Sequence, residues 1–353
     1  KEGPRFPAMR KSGYAKSGRP TGNHIYAKRS CKQSEQRFVN VCEKGKHMKA
    51  TSKLHKTEQQ QLREAQHKRR FETVIHGIFL VLGLVTVGCV LMITVYLIIA
   101  GIPAIREIGL VDFLFGKVWA STNQDAKFGI LPFILTSVYG TAGAILIGVP
   151  VGFFTAVYLA KEAPPKLRGI VEEAVNLLAG IPSVVYGLVG MLILVPGIRN
   201  IFHVPDGSSL LAAIIVLAIM ILPSIIKVSI TGLEAVPKEY EDASLALGAT
   251  PTETWFKVSV PAARSGIAAA VVLGVGRAIG EAMAVMMVSG NVANMPHLFE
   301  SVRFLTTAVA SEMSYAGAGL QRQALFSIAL VLFLFIMLIN ATLNFFLKRS
   351  KER

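Results

Sequence analysis

The chain has 353 residues, 52% hydrophobic and only 17% charged, with a mean hydropathy of +0.51. That balance excludes an ordinary soluble domain and, for most of the chain, intrinsic disorder, and three cysteines cannot staple a chain this long. The formal charge of +15 is lopsided: residues 1–70 carry 19 of the 37 Lys/Arg and 5 of the 22 Asp/Glu, so the other 283 residues are close to neutral.

Two objects follow: a basic tail over 1–70 and an apolar body over 71–350. The tail has no sustained apolar periodicity before about residue 54, and Gly, Ser, Lys and Arg dominate residues 1–30. It is expected to be disordered. Cys31, Cys42, His47 and His55 lack the tight pairing of structural zinc sites, so no metal is expected. Its charge suits anionic lipid better than nucleic acid, which is not expected as a partner. Met48 opens a more ordinary leader, MKATSKLHKTEQQQLREAQHKRR, and the expectation is that translation starts there and that 1–47 is an artefact.

A bilayer-spanning helix needs about 20 mostly apolar residues. Six stretches qualify, roughly 74–100, 132–159, 173–195, 210–231, 266–289 and 324–347. The first and last carry no charge at all. Buried helices of a large soluble protein do not account for six such runs. The fold class expected is therefore all-α integral membrane, with six spans. Placing both termini in the cytoplasm puts 14 Lys/Arg near inside span ends and 6 outside, as the positive-inside rule requires. The first span is too long for a signal-peptide core and lacks a small-residue cleavage site.

In the third span, Leu178-Ala179-Gly180-Ile181-Pro182-Ser183-Val184-Val185-Tyr186-Gly187 contains helix breakers at Gly180 and Pro182. Ser183 and Tyr186 are candidate hydroxyls, either lining a path or satisfying the kink. The inside loop 234–262 predicts two short helices. Pro237, Lys238 and Glu239 suit a first turn and Gly248 a C-terminal stop, while Thr250-Pro251-Thr252-Glu253 reads as a capping box. Tyr240, Leu245, Leu247, Trp255 and Phe256 give this pair an apolar side for a partner.

Span five places Arg277 about 11 residues from either end, or about 16 Å deep at 1.5 Å per residue. A charge there costs at least about 2.5–3.5 kcal/mol and must face protein or water. Glu281, at i+4, is expected on the same face. The pair reads either as a packing ion pair or as an oxyanion site. In the second case the planar fork of Arg277 takes two oxygens, and Glu281 holds the arginine when the site is empty. Gly274, Gly276 and Gly280 thin the wall around them.

Glu241-Asp242-Ala243-Ser244, Gly248, and then Val258-Ser259-Val260-Pro261 after nine residues resemble the coupling loop of ABC importer permeases. Asp242 for Glu, Ser244 for the second Ala, and Val for Ile and Leu are the departures. The resemblance implies a type I importer permease in which Glu241, Asp242, Ala243 and Gly248 dock on a separate ATPase. Gly276 to Val285 (GRAIGEAMAV) is similar to the signature of PstC-type phosphate importer permeases, and Leu178 to Gly187 resembles both permease types of that system. The resemblance covers about 75–347.

What it implies is the permease subunit of an ATP-driven phosphate importer in a bacterial inner membrane. Its implied substrate path is Arg277, Glu281, Ser183 and Tyr186. The implied partners are a PstA-type companion permease, an ABC ATPase dimer and an external phosphate-binding protein that meets loop 290–323 (Asn291, Glu300, Arg303, Glu312). The chain has no G-x-x-x-x-G-K-[ST] motif, so no cofactor is expected on it and ATP belongs to the partner. Sulfate, molybdate or a phosphonate as cargo, or a phosphate-sensing scaffold that transports nothing, are the alternatives. A membrane-embedded enzyme is disfavoured, because after residue 70 His76, His203 and His297 lie near predicted span ends or in loops.

Overall fold

A computed structural model describes residues 72–122 and 125–351. The expectations placed on the tail, from Cys31 to Met48, lie outside the described residues. The chain forms two compact units, residues 1–88 and 89–353. The described part of the first, 72–88, is apolar helix with nearly every side chain exposed. That is a surface for lipid, not water.

Helix α1 is Glu72–Ile108. A short α2 (Leu110–Phe115) and a two-stranded hairpin, β1 (Trp119–Ala120) with β2 (Lys127–Phe128), lead into α3 (Leu131–Lys161). Next come α4 (Pro165–Gly180), α5 (Ser183–Phe202, with a π-helical turn at Gly190–Leu194) and α6 (Leu210–Glu234). Two short helices follow, α7 (Lys238–Ala246) and α8 (Pro251–Ala262). The chain ends with α9 (Arg264–Gly280), α10 (Met283–Val288), α11 (Leu305–Glu312) and α12 (Leu320–Lys351). Five of these, α1, α3, α5, α6 and α12, are long and apolar enough to cross a bilayer, and α8 with α9, bent by 71°, supplies a sixth candidate.

Two spans differ from expectation. The third begins at Ser183, not 173, because the preceding α4 is a separate helix carrying Lys166, Arg168, Glu172 and Glu173. The fifth is not one helix over 266–289. It stops at Gly280 and restarts at Met283.

The centre of the larger unit is α3 against α6. Glycines on α3 form a trough for isoleucines of α6. A Cβ at Gly143 would stand 2.7 Å from Ile214, one at Gly148 2.7 Å from Ile221, and one at Gly152 2.8 Å from Ile225. Without a hydrophobic force between helices in lipid, such small-residue troughs let dispersion contacts hold the pair. Helix α9 also packs on α6, crossing it at Gly232 and Gly266, where a Cβ on Gly266 would meet the Gly232 Cα at 2.8 Å. That close approach sets the height of Arg277 on α6.

Opposite the α7–α8 end, a loop over 289–304 caps the bundle. Ser209 starts α6 by accepting the Ala212 amide at 3.3 Å. The next free amides, Leu210 and Leu211, donate to the carbonyls of Glu300 and Leu298. The orphan donors of the helix start are thereby satisfied within the protein.

Candidate functional site

The break in the fifth span is held from two sides. The Glu281 carboxylate accepts the Ala284 amide at 2.9 Å and so caps α10. The Glu281 carbonyl, orphaned at the end of α9, accepts the Thr306 hydroxyl of α11 at 2.9 Å. Glu281 therefore does not sit one turn above Arg277 on a continuous helix, and among the described residues the two form no ion pair. The expected Arg277–Glu281 pair is corrected: the backbone break turns the carboxylate to the next half-helix.

Arg277 stands in the last turn of α9, half-buried. The helix-end carbonyls favour a cation there. Nη1 reaches the Ser224 hydroxyl of α6 at 3.4 Å. Ser224 follows Pro223, which removes one amide from the α6 ladder. No carboxylate among the described residues takes the guanidinium, so most of its five donors remain open. Cβ positions on Gly276 and Gly280 would meet nothing within 4 Å, whereas Gly274 packs on Ile225 at 3.0 Å. The arginine thus has packed protein on one side and open space on the other.

Tyr186 lies close enough to feel the charge of Arg277. Its hydroxyl, however, donates to the Leu178 carbonyl at 2.7 Å and closes the break between α4 and α5. Ser183 is the first residue of α5, half-buried. A groove of about 770 Å³ runs between α5 and α6 from Leu178 to Phe202. Its lining is apolar apart from the Tyr186 hydroxyl, which is already bonded, so it offers an anion nothing.

At the far end of α3 and α6, α7 and α8 form the expected hairpin. Thr250 and Glu253 make the capping box, and Gly248 takes φ +87°, which suits glycine. Ser244 and Thr254 join the two helices by a 2.9 Å hydroxyl contact. Asp242, Ala243 and Gly248 are exposed, as are Tyr240, Leu245 and Phe256, and Leu247 is 90% exposed. Trp255 is half-buried.

Glu241 is different. Its carboxylate pairs with Lys161, the last residue of α3, and accepts the Ser259 hydroxyl at 2.8 Å. It therefore latches the hairpin to a span. Burial pushes the Glu241 carboxyl up, but Lys161 and Ser259 outweigh it and hold it below its ordinary 4.5. A depressed carboxylate contributes stability above its ordinary value and loses it as pH falls through the depressed one. Hairpin attachment is thus expected to be constant from neutral pH down to about 4.5 and to loosen below. Amide exchange across 238–246, corrected for intrinsic rates, reads this, and Glu241→Gln is expected to loosen the hairpin at neutral pH and to remove this pH dependence.

The opposite cap has its own buried charges. Glu312 accepts Trp119 Nε1 at 3.0 Å and Ser121 Oγ at 3.2 Å, and it pairs with Arg303. Arg303 also donates through Nε to the Asn291 carbonyl at 2.9 Å and lies 5.8 Å from the Phe133 ring centre. Arg303 and Glu312, expected to face an external partner, are instead bound to each other inside the cap. Glu300 is exposed. Sequence reasoning did not single out Thr306, Ser224 or Lys161. For Ser224 a signal existed: a hydroxyl beside a proline in an otherwise apolar span.

The comparisons with known proteins fit this arrangement. Residues 148–353 match the family described as "Binding-protein-dependent transport system inner membrane component". The chain belongs to that family. It is 39% identical over 266 residues to the probable ABC transporter permease protein YqgH of Bacillus subtilis (strain 168), covering 73% of this chain and 86% of that one. It is 34% identical to the phosphate transport system permease protein PstC of Mesorhizobium japonicum, covering 69% of this chain and 80% of the relative. Among solved structures, the inward-facing MetNI methionine ABC transporter matches with a TM-score of 0.51 at 21% identity, over 63% of this chain and 95% of that one. At that identity the likeness speaks for the fold alone. The family and the spans make this a multi-pass inner-membrane permease subunit.

Proposed function

We propose that this chain is the permease subunit of an ATP-driven phosphate importer and carries the anion path. The observation that carries the reading is Arg277: a guanidinium without a carboxylate partner among the described residues, at the break of a span, with open space beside it. Discontinuous helices at membrane depth are where transporters build substrate sites. A planar fork with free donors suits a tetrahedral oxyanion. The PstC relatives support phosphate as the cargo.

In this reading the exposed face of α7 and α8 docks on a separate ATPase dimer, and Asp242, Ala243 and Gly248 meet it. Glu241 does not touch the ATPase. It carries the hairpin's motion into α3 through Lys161. Both termini lie in the cytoplasm, so the 289–304 cap faces outward toward a phosphate-binding protein, and a PstA-type permease completes the path. The chain breaks no bonds and binds no cofactor, because ATP is used by the partner.

Proteoliposomes containing this chain, its companion permease, the ATPase and the binding protein test the reading. ATP-dependent uptake of labelled phosphate, unaffected by a large excess of sulfate, is the expected result. Uptake of sulfate instead keeps the machine and discards the cargo. No uptake of either anion, with ATP still hydrolysed, leaves the sensing scaffold.

A further inference from the structure

Lys227 is a cation that no role above uses. It sits inside α6, whose 25 residues are otherwise almost wholly apolar. Ser224, Lys227, Thr231 and Glu234 recur at spacings of three, four and three, which puts them on one face of the helix. Ser224 holds Arg277. Lys227 follows one turn nearer the α7–α8 end, about 4.5 Å along the axis. The polar face thus runs from the arginine toward the hairpin.

Lys227 and Thr231 line a cavity of about 310 Å³ with Asn176 and Arg168 of α4. Two carboxylates also line it, Glu172 and Glu234, and both are already bonded to Arg168. Among the described residues Lys227 has no carboxylate partner, and its side chain is exposed. Lys227 lies seven residues before the end of α6, among the cations that the positive-inside rule places at inner span ends, and what sets it apart is that it faces this cavity with no counter-ion of its own among the described residues. An anion path also needs more than one weak site, since a single tight one would not release its ion.

We propose that Lys227 is a second oxyanion station, which takes the anion from Arg277 and passes it toward the hairpin face. The inference rests on the phosphate-import reading. The two cations differ as their tasks do. Arg277 is a fixed fork that orients the anion, and Lys227 is a point charge on a flexible stem that follows it.

The test uses the complete reconstituted complex, with Cys31, Cys42 and Cys89 replaced by serine so that Lys227→Cys is the single thiol of this chain. Lys227→Gln is expected to lower ATP-dependent phosphate uptake about tenfold, the loss of one charge-assisted contact, at equal amounts of assembled complex. Aminoethylation of folded Lys227→Cys restores a cation of nearly the same length and is expected to restore uptake. Alkylation with neutral iodoacetamide is not. Uptake within about twofold of wild type in Lys227→Gln, or equal recovery with both reagents, overturns the station while leaving the importer standing. An unmodified complex that moves no phosphate overturns both.

Discussion

Replacing Glu312 by alanine is expected to destabilise the protein by about 3–5 kcal/mol, the range for breaking a buried ion pair from one side. Glu312 is almost fully buried, and its two oxygens take Arg303, Trp119 and Ser121. Alanine leaves the Arg303 guanidinium inside the cap with only the Asn291 carbonyl and the Phe133 face. It also strands the indole N–H of Trp119, a buried donor. Thermal unfolding in detergent, followed by tryptophan fluorescence, reads the loss. Arg303→Met with Glu312→Leu removes both charges together and is expected to be far milder than either single change, because no uncompensated charge remains. A melt of Glu312→Ala within a degree of wild type would show that water reaches the pair and that the cap is held by its apolar contacts alone.

The effect has a route to the anion path. Arg303 fixes Asn291, which follows Gly290 at the start of the loop leaving α10, and Asn291 has a positive φ of 54°. The loop returns through Val302, whose amide donates to Ser289. Helix α11 then brings Thr306 onto the Glu281 carbonyl. Loosening the cap therefore loosens the clamp on the break beside Arg277.

Much of this was legible in the sequence because it is local. Long uncharged runs read as spans, and four of the six lie where composition puts them, within the limits of helix ends; the third and the fifth do not. Thr250, Pro251 and Glu253 gave the capping box, since that motif is three residues long and needs no distant partner. The break between Gly180 and Ser183 was written in Gly and Pro. The break after Gly280 was not. Ala278-Ile279-Gly280-Glu281-Ala282-Met283 contains no proline and several good helix formers. It opens because Thr306 and the Glu281 side chain supply the hydrogen bonds that the helix gives up. A tertiary contact 25 residues away overrides propensity there.

The same holds for charges. An i+4 rule pairs Arg277 with Glu281 only while the helix continues. The partners chosen for Glu312 and Glu241 lie 193 and 80 residues away, for Trp119 and Lys161 respectively, and no periodicity announces them. Helix α4 was merged into the third span because a window of about 20 residues averages its charged first half with the apolar stretch around Leu178.

Exchange of Arg277 for glutamine is expected to reduce ATP-dependent anion uptake by on the order of 100-fold or more. A bidentate guanidinium contributes two charge-assisted hydrogen bonds to an oxyanion, each about 1.5–3 kcal/mol, and glutamine keeps neither the charge nor the fork. Arg277→Lys keeps the charge and loses the planar geometry, so an intermediate loss of about tenfold is expected. The structure separates this residue from its sequence neighbour. Glu281→Gln still offers a carbonyl oxygen to the Ala284 amide, so it is expected to preserve the break and most of the uptake. Glu281→Ala releases the cap of α10 and is expected to harm uptake through the shape of the site. Under a direct Arg277–Glu281 ion pair the two variants would be about equally harmful, since both leave Arg277 without its counter-charge. ATP hydrolysis stimulated by the binding protein completes the test, because the hairpin and its Lys161–Glu241 latch are untouched in Arg277→Gln. Hydrolysis that persists while uptake fails places the defect in the path. Uptake within twofold of wild type would reduce Arg277 to a packing contact with Ser224 and move the anion path elsewhere in the bundle.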